Sequence, residues 1–265
     1  MDLAGRVCVV TGASSGLGKR IAADLAASGA TVCVAARREE RLRDLVAGLP
    51  QPSGPAHSYV VTDVSERSDV DRLADEVRTR YGRCDVLVNN AGISRGSEFQ
   101  GAASLDDLEE VFRTNFFGAV WCTAALLPLL ESSAPSHVIN VASVAGRIAY
   151  GGSSTYCSSK FALVGWSEAV GFDLRKKGIF VTSIEPGPIP TEGFPQTALL
   201  SHPILRRGVG NAGDVARAVL SAIGKRKTEI MVPRWFYLFQ FPKLIFPRLF
   251  RSVAGRFITS GARDS

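Results

Sequence analysis

Tyr156 and Lys160 stand four residues apart in "STYCSSKFALVGWSEAV" (154–170), a stretch with the apolar spacing of a helix. That spacing puts a phenol and an ammonium on one helix face. Two readings follow. Either the ring packs on the aliphatic stem of the lysine, or the ammonium tunes the phenol for proton transfer by favouring its ionised form. The pair alone does not choose between them. The elements that position it do.

Short β-branched runs alternate with helical patterns from the N-terminus onward. Strands are expected over 6–11, 31–36, 57–63, 84–90, 137–143, 179–186 and 229–233, and helices over 16–29, 38–49, 66–82, 104–131, 155–176 and 212–223. Continuous apolar strands separated by helices imply an α/β fold, a doubly wound parallel sheet covered on both faces. The Pro/Gly loop at 49–58 is too short to divide the chain into domains, so one domain is expected.

The chain has 265 residues, 46% hydrophobic and 21% charged, enough apolar material for a sizeable core and unlike a disordered chain. Its five cysteines (Cys8, Cys33, Cys84, Cys122, Cys157) include no CxxC pair, which points away from a disulfide framework or metal site and towards a reducing compartment. The start, "MDLAGRVCVVTG", carries no signal-peptide pattern, and a cytoplasmic location is expected. The net charge of +6 is uneven: residues 1–224 hold 22 Lys+Arg against 23 Asp+Glu, and residues 225–265 hold 9 against 2. The body is therefore not basic, and no nucleic-acid partner is expected.

The first strand runs into "TGASSGLGK", with glycines at Gly12, Gly16 and Gly18. This GxxxGxG spacing is neither a phosphate-loop motif nor GxGxxG. Its setting, strand then tight turn then helix, still suits a pyrophosphate approaching the backbone and the helix N-terminus. Alternatively the glycines only make a tight link. After the second strand come Ala36, Arg37 and Arg38, where an NAD site would carry an acidic residue. Guanidiniums there would bind a 2′-phosphate, with Ser15 and Lys19 able to add contacts, so NADP is the expected cofactor. The competing reading is a solvated helix start with Glu39 and Glu40.

"TGASSGLG", "NNAG" (89–92), Ser143 and "YCSSK" (156–160) together resemble the short-chain dehydrogenase/reductase family, over roughly residues 5 to 232. The resemblance implies a Rossmann-like fold and a catalytic set of Asn115, Ser143, Tyr156 and Lys160. It implies cofactor contacts from Gly12, Ser14, Ser15, Gly16, Leu17 and Gly18, from Arg37 and Arg38, and from the adenine-side pair Asp63 and Val64. Asn90, Ala91 and Gly92 follow, then Tyr156 and Lys160, and the "PGPIPT" loop with Pro186, Gly187, Ile189 and Thr191. Under this reading Tyr156 is the general acid/base, Lys160 lowers its pKa and holds the nicotinamide ribose, Ser143 steadies the carbonyl oxygen, and Asn115 holds a water linking Lys160 to solvent.

Substrate lining is expected from 93–99, 144–152 and 193–208. Ile148, Tyr150, Phe194, Leu199, Leu200, Ile204 and Leu205 suit a lipophilic alcohol or ketone of steroid, retinoid or long-chain type, or else simply pack their loops. Arg95 and Arg147 read as surface groups, and His57, His137 and His202 receive no role. An NADP-binding catalytic domain is expected over 1–232 and a basic, aromatic extension over 233–265. Eight aromatics and interleaved cations in the extension suit peripheral membrane association through 233–261. A lid over the pocket, or packing on a second subunit of a homodimer or homotetramer, is the other expectation. An oxidoreductase is thus expected. The competing class is a binding protein without turnover that works through its tail.

Overall fold

The valine-rich runs pair into one parallel sheet. A computed structural model describes residues 2–52, 54–95, 99–192, 209–248 and 250. Its strands are β1 (Val7–Thr11), β2 (Thr31–Ala36), β3 (Ser58–Val61), β4 (Val86–Asn89), β5 (Ser136–Val141), β6 (Ile179–Pro186) and β7 (Glu229–Val232). Their spatial order is β3-β2-β1-β4-β5-β6-β7. Every neighbouring pair is parallel, with Val9 opposite Cys33 on one side and Leu87 on the other. The order reverses between β1 and β4, and the crevice at such a switch point is where this kind of sheet binds ligands.

The sheet is buried on both faces, so its strands carry no polar side. Along β1, Cys8 and Val10 face one apolar layer and Val9 the other. The first layer is closed by α1 (Gly16–Ala27), α2 (Glu39–Ala47) and α7 (Ala212–Lys225), through Ile21, Leu25, Leu42, Val215 and Val219. The second is closed by α3 (Arg67–Tyr81), α5 (Gly118–Ser132) and α6 (Ser154–Arg175), through Val70, Leu73, Leu126, Leu130 and Leu174. All five cysteines are buried and unpaired.

Element boundaries fall within two residues of those read from the sequence. One element differs in kind. The stretch expected as a single helix is α4 (Leu105–Phe112), a π-helical turn (Arg113–Phe117), then α5. The Gly118 N–H reaches back five residues to the Arg113 carbonyl. The run Leu105–Ser132 is long and apolar enough to cross a membrane, yet 44% of its apolar window is buried, and its Cys122, Leu126, Leu129 and Leu130 belong to the layer over the sheet. After β7 come a 3₁₀ turn (Arg234–Phe236) and α8 (Tyr237–Ile245).

Candidate active site

The cofactor end is built by the turn after β1. Gly12 and Gly16 have φ of +65° and +54°, a region that favours glycine. A Cβ on Gly12 would lie 2.7 Å from the Ala91 Cα, and one on Gly18 would lie 2.4 Å from the Asn90 side-chain nitrogen. The turn is therefore pressed onto the end of β4. Asn90 holds it there, its Nδ2 donating to the Thr11 and Gly12 carbonyls at 3.0 and 3.3 Å. Thr11 Oγ1 completes the clasp by accepting from the Asn90 and Ala91 amides at 3.0 and 3.2 Å. Thr11 escaped the sequence reading because a threonine at a strand end is unremarkable until its partner 79 residues away is known.

A cleft of about 940 Å³ opens above this turn. Gly12, Ser14, Ser15, Gly16 and Leu17 form its floor, with the N-terminus of α1 at Gly16 opening onto it. Arg37, Arg38, Asp63 and Val64 wall one end. Asn90, Ala91 and Gly92 lie at the middle, and Ser143, Tyr156, Lys160, Pro186, Gly187, Ile189 and Thr191 wall the other end. Of the expected cofactor residues, Gly18 and Lys19 are absent from the wall; Gly18 is buried under the turn, as its missing side chain requires. Lys19 is exposed and away from the cleft lining.

The two arginines differ. Arg37 pairs with Asp63 at 3.6 Å. Arg38 turns inward: its Nε and Nη2 donate to Ser14 Oγ at 3.1 and 2.9 Å, and Nη2 donates to Ser15 Oγ at 2.8 Å. Its Nη1 donates to Glu192 Oε1 at 2.7 Å. Sequence reasoning missed Glu192, which nothing local connects to an arginine 154 positions earlier.

At the other end of the cleft, α6 presents Tyr156 and Lys160 beside the turn that begins at Ser143. Ser143 follows β5 and caps the 3₁₀ turn Val144–Gly146, its Oγ accepting from the Ala145 amide at 3.1 Å and donating to the Pro186 carbonyl at 3.3 Å. The Tyr156 hydroxyl hydrogen-bonds with Ser143. Lys160 is buried, and its Nζ donates to the Val141 carbonyl at 3.0 Å and lies 5.7 Å from the Tyr156 ring centre. Burial alone pushes its pKa down to about 8.

One expectation differs in its net sign: the Tyr156 phenol is raised above its ordinary value rather than lowered, because loss of solvation outweighs the favourable contacts, of which the hydrogen bond with Ser143 is the opposing one. The side-chain amide of Asn115 is engaged within the protein. Oδ1 accepts from the Ile93 amide at 2.8 Å, while Nδ2 donates to the Ile93 carbonyl at 2.9 Å and to Ser159 Oγ at 3.1 Å. Asn115 thus ties the loop after β4 to α6, and Thr114 of the same π turn reaches the cleft instead.

Ile148 and Tyr150 line the cleft as expected. Phe194, Leu199, Leu200, Ile204, Leu205 and His202 lie outside the described residues. Arg95 pairs with Glu110 at 3.1 Å on the surface. Arg147, read as a surface group, is instead three-quarters buried: it pairs with Glu185 at 3.0 Å and with Glu229, joining the Ser143 turn to β6 and β7. Burial pushes the Glu185 carboxyl up to about 7, opposed by the hydrogen bond from Arg147. His57 and His137 are structural, bonded to Pro50 and Val32 and to Thr182 respectively. Phe236, from the extension for which a lid over the pocket is one expectation, also lines the cleft and packs so tightly that a Cβ on Gly187 would lie 2.4 Å from its ring.

A parallel sheet with a glycine turn at its switch point, and a Ser–Tyr–Lys wall opposite, defines a Rossmann-like dinucleotide-binding oxidoreductase. The family model described as short chain dehydrogenase matches residues 6–198, and the chain belongs to that family. It is 38% identical over 227 residues to a farnesol dehydrogenase of Aedes aegypti, covering 83% of this chain and 91% of that protein. It is 32% identical over 254 residues to the 11-beta-hydroxysteroid dehydrogenase-like 4A of Arabidopsis thaliana, covering 95% and 84%. Among solved structures, a short chain dehydrogenase/reductase of Burkholderia phymatum in complex with NAD superposes with a TM-score of 0.78 at 27% identity, covering 94% of this chain and 97% of that one. The RhlG/NADP active-site complex of Pseudomonas aeruginosa gives 0.78 at 30% identity, covering 89% and 97%. The protein is an NAD(P)-binding oxidoreductase of alcohols and carbonyl compounds.

Proposed function

We propose that the protein transfers a hydride between NADP(H) and a lipophilic alcohol or ketone of steroid, retinoid or long-chain type, with Tyr156 as general acid/base. The observation that carries this reading is the joint placement of Tyr156, Ser143 and buried Lys160 on one wall of the cleft, with the Arg38 fork on another. The cleft fits a dinucleotide: its volume is ample, its floor is glycine where side chains would collide, and a helix N-terminus opens onto it. The farnesol dehydrogenase relative and the NADP-bound neighbour support the substrate class and the cofactor.

The nicotinamide, when bound, supplies the hydride donor and acceptor. The glycine turn and the first amides of α1 hold the pyrophosphate, and Arg38 with Ser14 and Ser15 receives the 2′-phosphate. Arg37 stands beside them on Asp63. Ser143 orients the carbonyl oxygen through its hydroxyl. The Tyr156 phenol, kept protonated by its dry surroundings, delivers the proton to that oxygen in reduction and takes it back in oxidation. Lys160 holds the ribose and, charged below about pH 8, favours the phenolate left after transfer. Asn115, whose side chain ties the loop after β4 to α6, holds the water that links Lys160 to solvent.

The same reading places the catalytic domain at 1–232 and the extension at 233–265, the latter attaching a cytoplasmic protein peripherally to a membrane. A homodimer or homotetramer would cover the exposed rings of Phe117 and Phe172 on the helical layer. NADPH oxidation with a panel of lipophilic ketones tests the activity. Tyr156→Phe, which removes only the proton donor, should cut kcat by roughly 10²- to 10⁴-fold and leave NADPH affinity within a few fold. Near-normal turnover by this variant would remove Tyr156 from the chemistry. A wild-type protein that binds NADPH and reduces none of the panel would favour the tail-driven binding protein.

A further inference from the structure

Glu192 already occupies the guanidiniums at the adenosine end of the cleft. Its Oε1 accepts from Arg38 Nη1 at 2.7 Å, and its Oε2 from Arg41 Nη1 at 2.5 Å. The rest of the Arg38 fork is on Ser14 and Ser15. Glu192 comes from the loop after β6, while the arginines come from the start of α2. The contact therefore bridges two walls of the cleft, and Arg38 and Glu192 both line it. Hydrogen bonds from Arg41 and then Arg38 hold the Glu192 carboxyl below its ordinary value, so it is an anion at neutral pH.

A guanidinium engages carboxylate and phosphate with the same two-pronged geometry. A ribose phosphate arriving at Arg38 therefore meets a resident anion. The carboxylate must leave, or two anions must share the guanidiniums against their mutual repulsion. An adenosine ribose without the phosphate makes no such demand. We propose that Glu192 is an internal competitor for the 2′-phosphate: it weakens binding of the phosphorylated cofactor and so narrows the preference for NADPH over NADH. This rests on the NADP(H) reading above. The pair is half-exposed, with side-chain exposures of 44% and 52%, so it is displaceable and screened by salt.

Glu192→Gln keeps the side chain's shape and removes its charge. Wild type and variant are titrated with adenosine 2′,5′-bisphosphate and with 5′-AMP, probes that differ only in the phosphate at issue. The variant should bind the bisphosphate about 5-fold more tightly at low salt, a factor in keeping with a solvent-exposed ion pair. AMP affinity should not change, and the gain should shrink as salt is raised. NADPH and NADH should follow the bisphosphate and AMP respectively. Equal tightening of both probes, or no change in either, overturns the proposal. Weaker bisphosphate binding in the variant overturns it too, because the carboxylate would then be aligning the guanidiniums for phosphate. A wild type and a variant that both fail to distinguish the two probes remove the NADP(H) reading along with the competitor, whereas a wild-type preference left untouched by the substitution removes the competitor alone.

Discussion

A lysine with 4% exposure is a costly residue to keep, and the chain keeps one at Lys160 with, among the described residues, the Val141 carbonyl as its hydrogen-bond acceptor. Its pKa of about 8 makes it the group that titrates nearest neutrality on that wall, since the Tyr156, Tyr150 and Cys157 values are all raised. The sign follows from the direction of the shift. Below about pH 8 the ammonium is charged and, under the proposed mechanism, would support both ribose and phenol; above it the charge is lost. Because kcat/KM for NADPH reports the free enzyme, it should fall through an apparent pKa near 8 as pH rises. Lys160→Arg, charged across the range, should remove that limb even where the rate itself drops. A limb that stays in place in Lys160→Arg belongs to another group. At this scale the sequence was informative about chemistry and silent about pairing. Tyr156, Lys160 and Ser143 can be picked out by type and spacing, but the burial that sets their acidities, and the Glu192 contact to Arg38, come from segments far apart in the chain.

The catalytic wall is made by two elements that touch backbone to backbone. A Cβ on Gly146 would lie 2.7 Å from the Lys160 carbonyl oxygen and 2.8 Å from Val164 Cγ2. Glycine is therefore what lets the turn from Ser143 approach α6 closely enough for Ser143 to meet Tyr156. Gly146→Ala should push the turn off the helix, with a stability cost of about 1–3 kcal/mol, as for other overpacked sites. It should lower kcat by roughly 10-fold or more, since small displacements of reacting groups are costly. NADPH affinity should stay within a few fold, because Arg38 and the glycine turn lie at the other end of the cleft. Unchanged kcat in a variant with a lowered melting temperature would make the contact purely structural. The elements themselves were largely legible, because strands buried on both faces must be apolar throughout and their helices must be periodic. The π turn at Arg113–Phe117 was not. Its residues read as a continuation of the helix, and what singles it out is tertiary: Asn115 held by both the amide and the carbonyl of Ile93. The polar chain behind the sheet was equally hidden. Asn89 Nδ2 donates to Asn140 Oδ1 and Asn140 Nδ2 to Ser167 Oγ, both at 2.8 Å, joining β4, β5 and α6.

Over the whole molecule, charge and apolar surface are distributed unequally, and α8 is where the inequality shows. Between Glu229 and Asp264 the sequence holds no acidic residue. The inner side of α8 is attached to the body: the Tyr237 hydroxyl accepts from the Met231 amide at 3.2 Å, and Lys243 Nζ donates to the Arg147 carbonyl and lies 5.0 Å from the Phe161 ring centre. Just before it, Phe236 packs on Gly187 in the cleft. The outer side is bare, with Leu238, Phe241, Leu244 and Ile245 each more than 60% exposed. A lid needs the inner contacts and gives no reason for four large apolar side chains in water. A lipid surface does, with the aromatic and aliphatic groups entering the headgroup boundary and each nearby Lys or Arg adding about 1 kcal/mol on an anionic membrane. Full-length protein should therefore sediment with anionic liposomes, less so at high salt and less so with neutral ones. Truncation at Pro233 would confuse this test, because it removes Phe236 from the cleft as well. Leu238→Asp with Phe241→Asp changes only the outer side. The double variant should remain in the supernatant, bind NADPH like wild type, and reduce a water-soluble ketone at the wild-type rate. If it sediments as well as wild type, the outer face does not meet the lipid. If it falls from a dimer or tetramer to a monomer while wild type ignores both liposome types, the face is covered by a second copy of the chain instead.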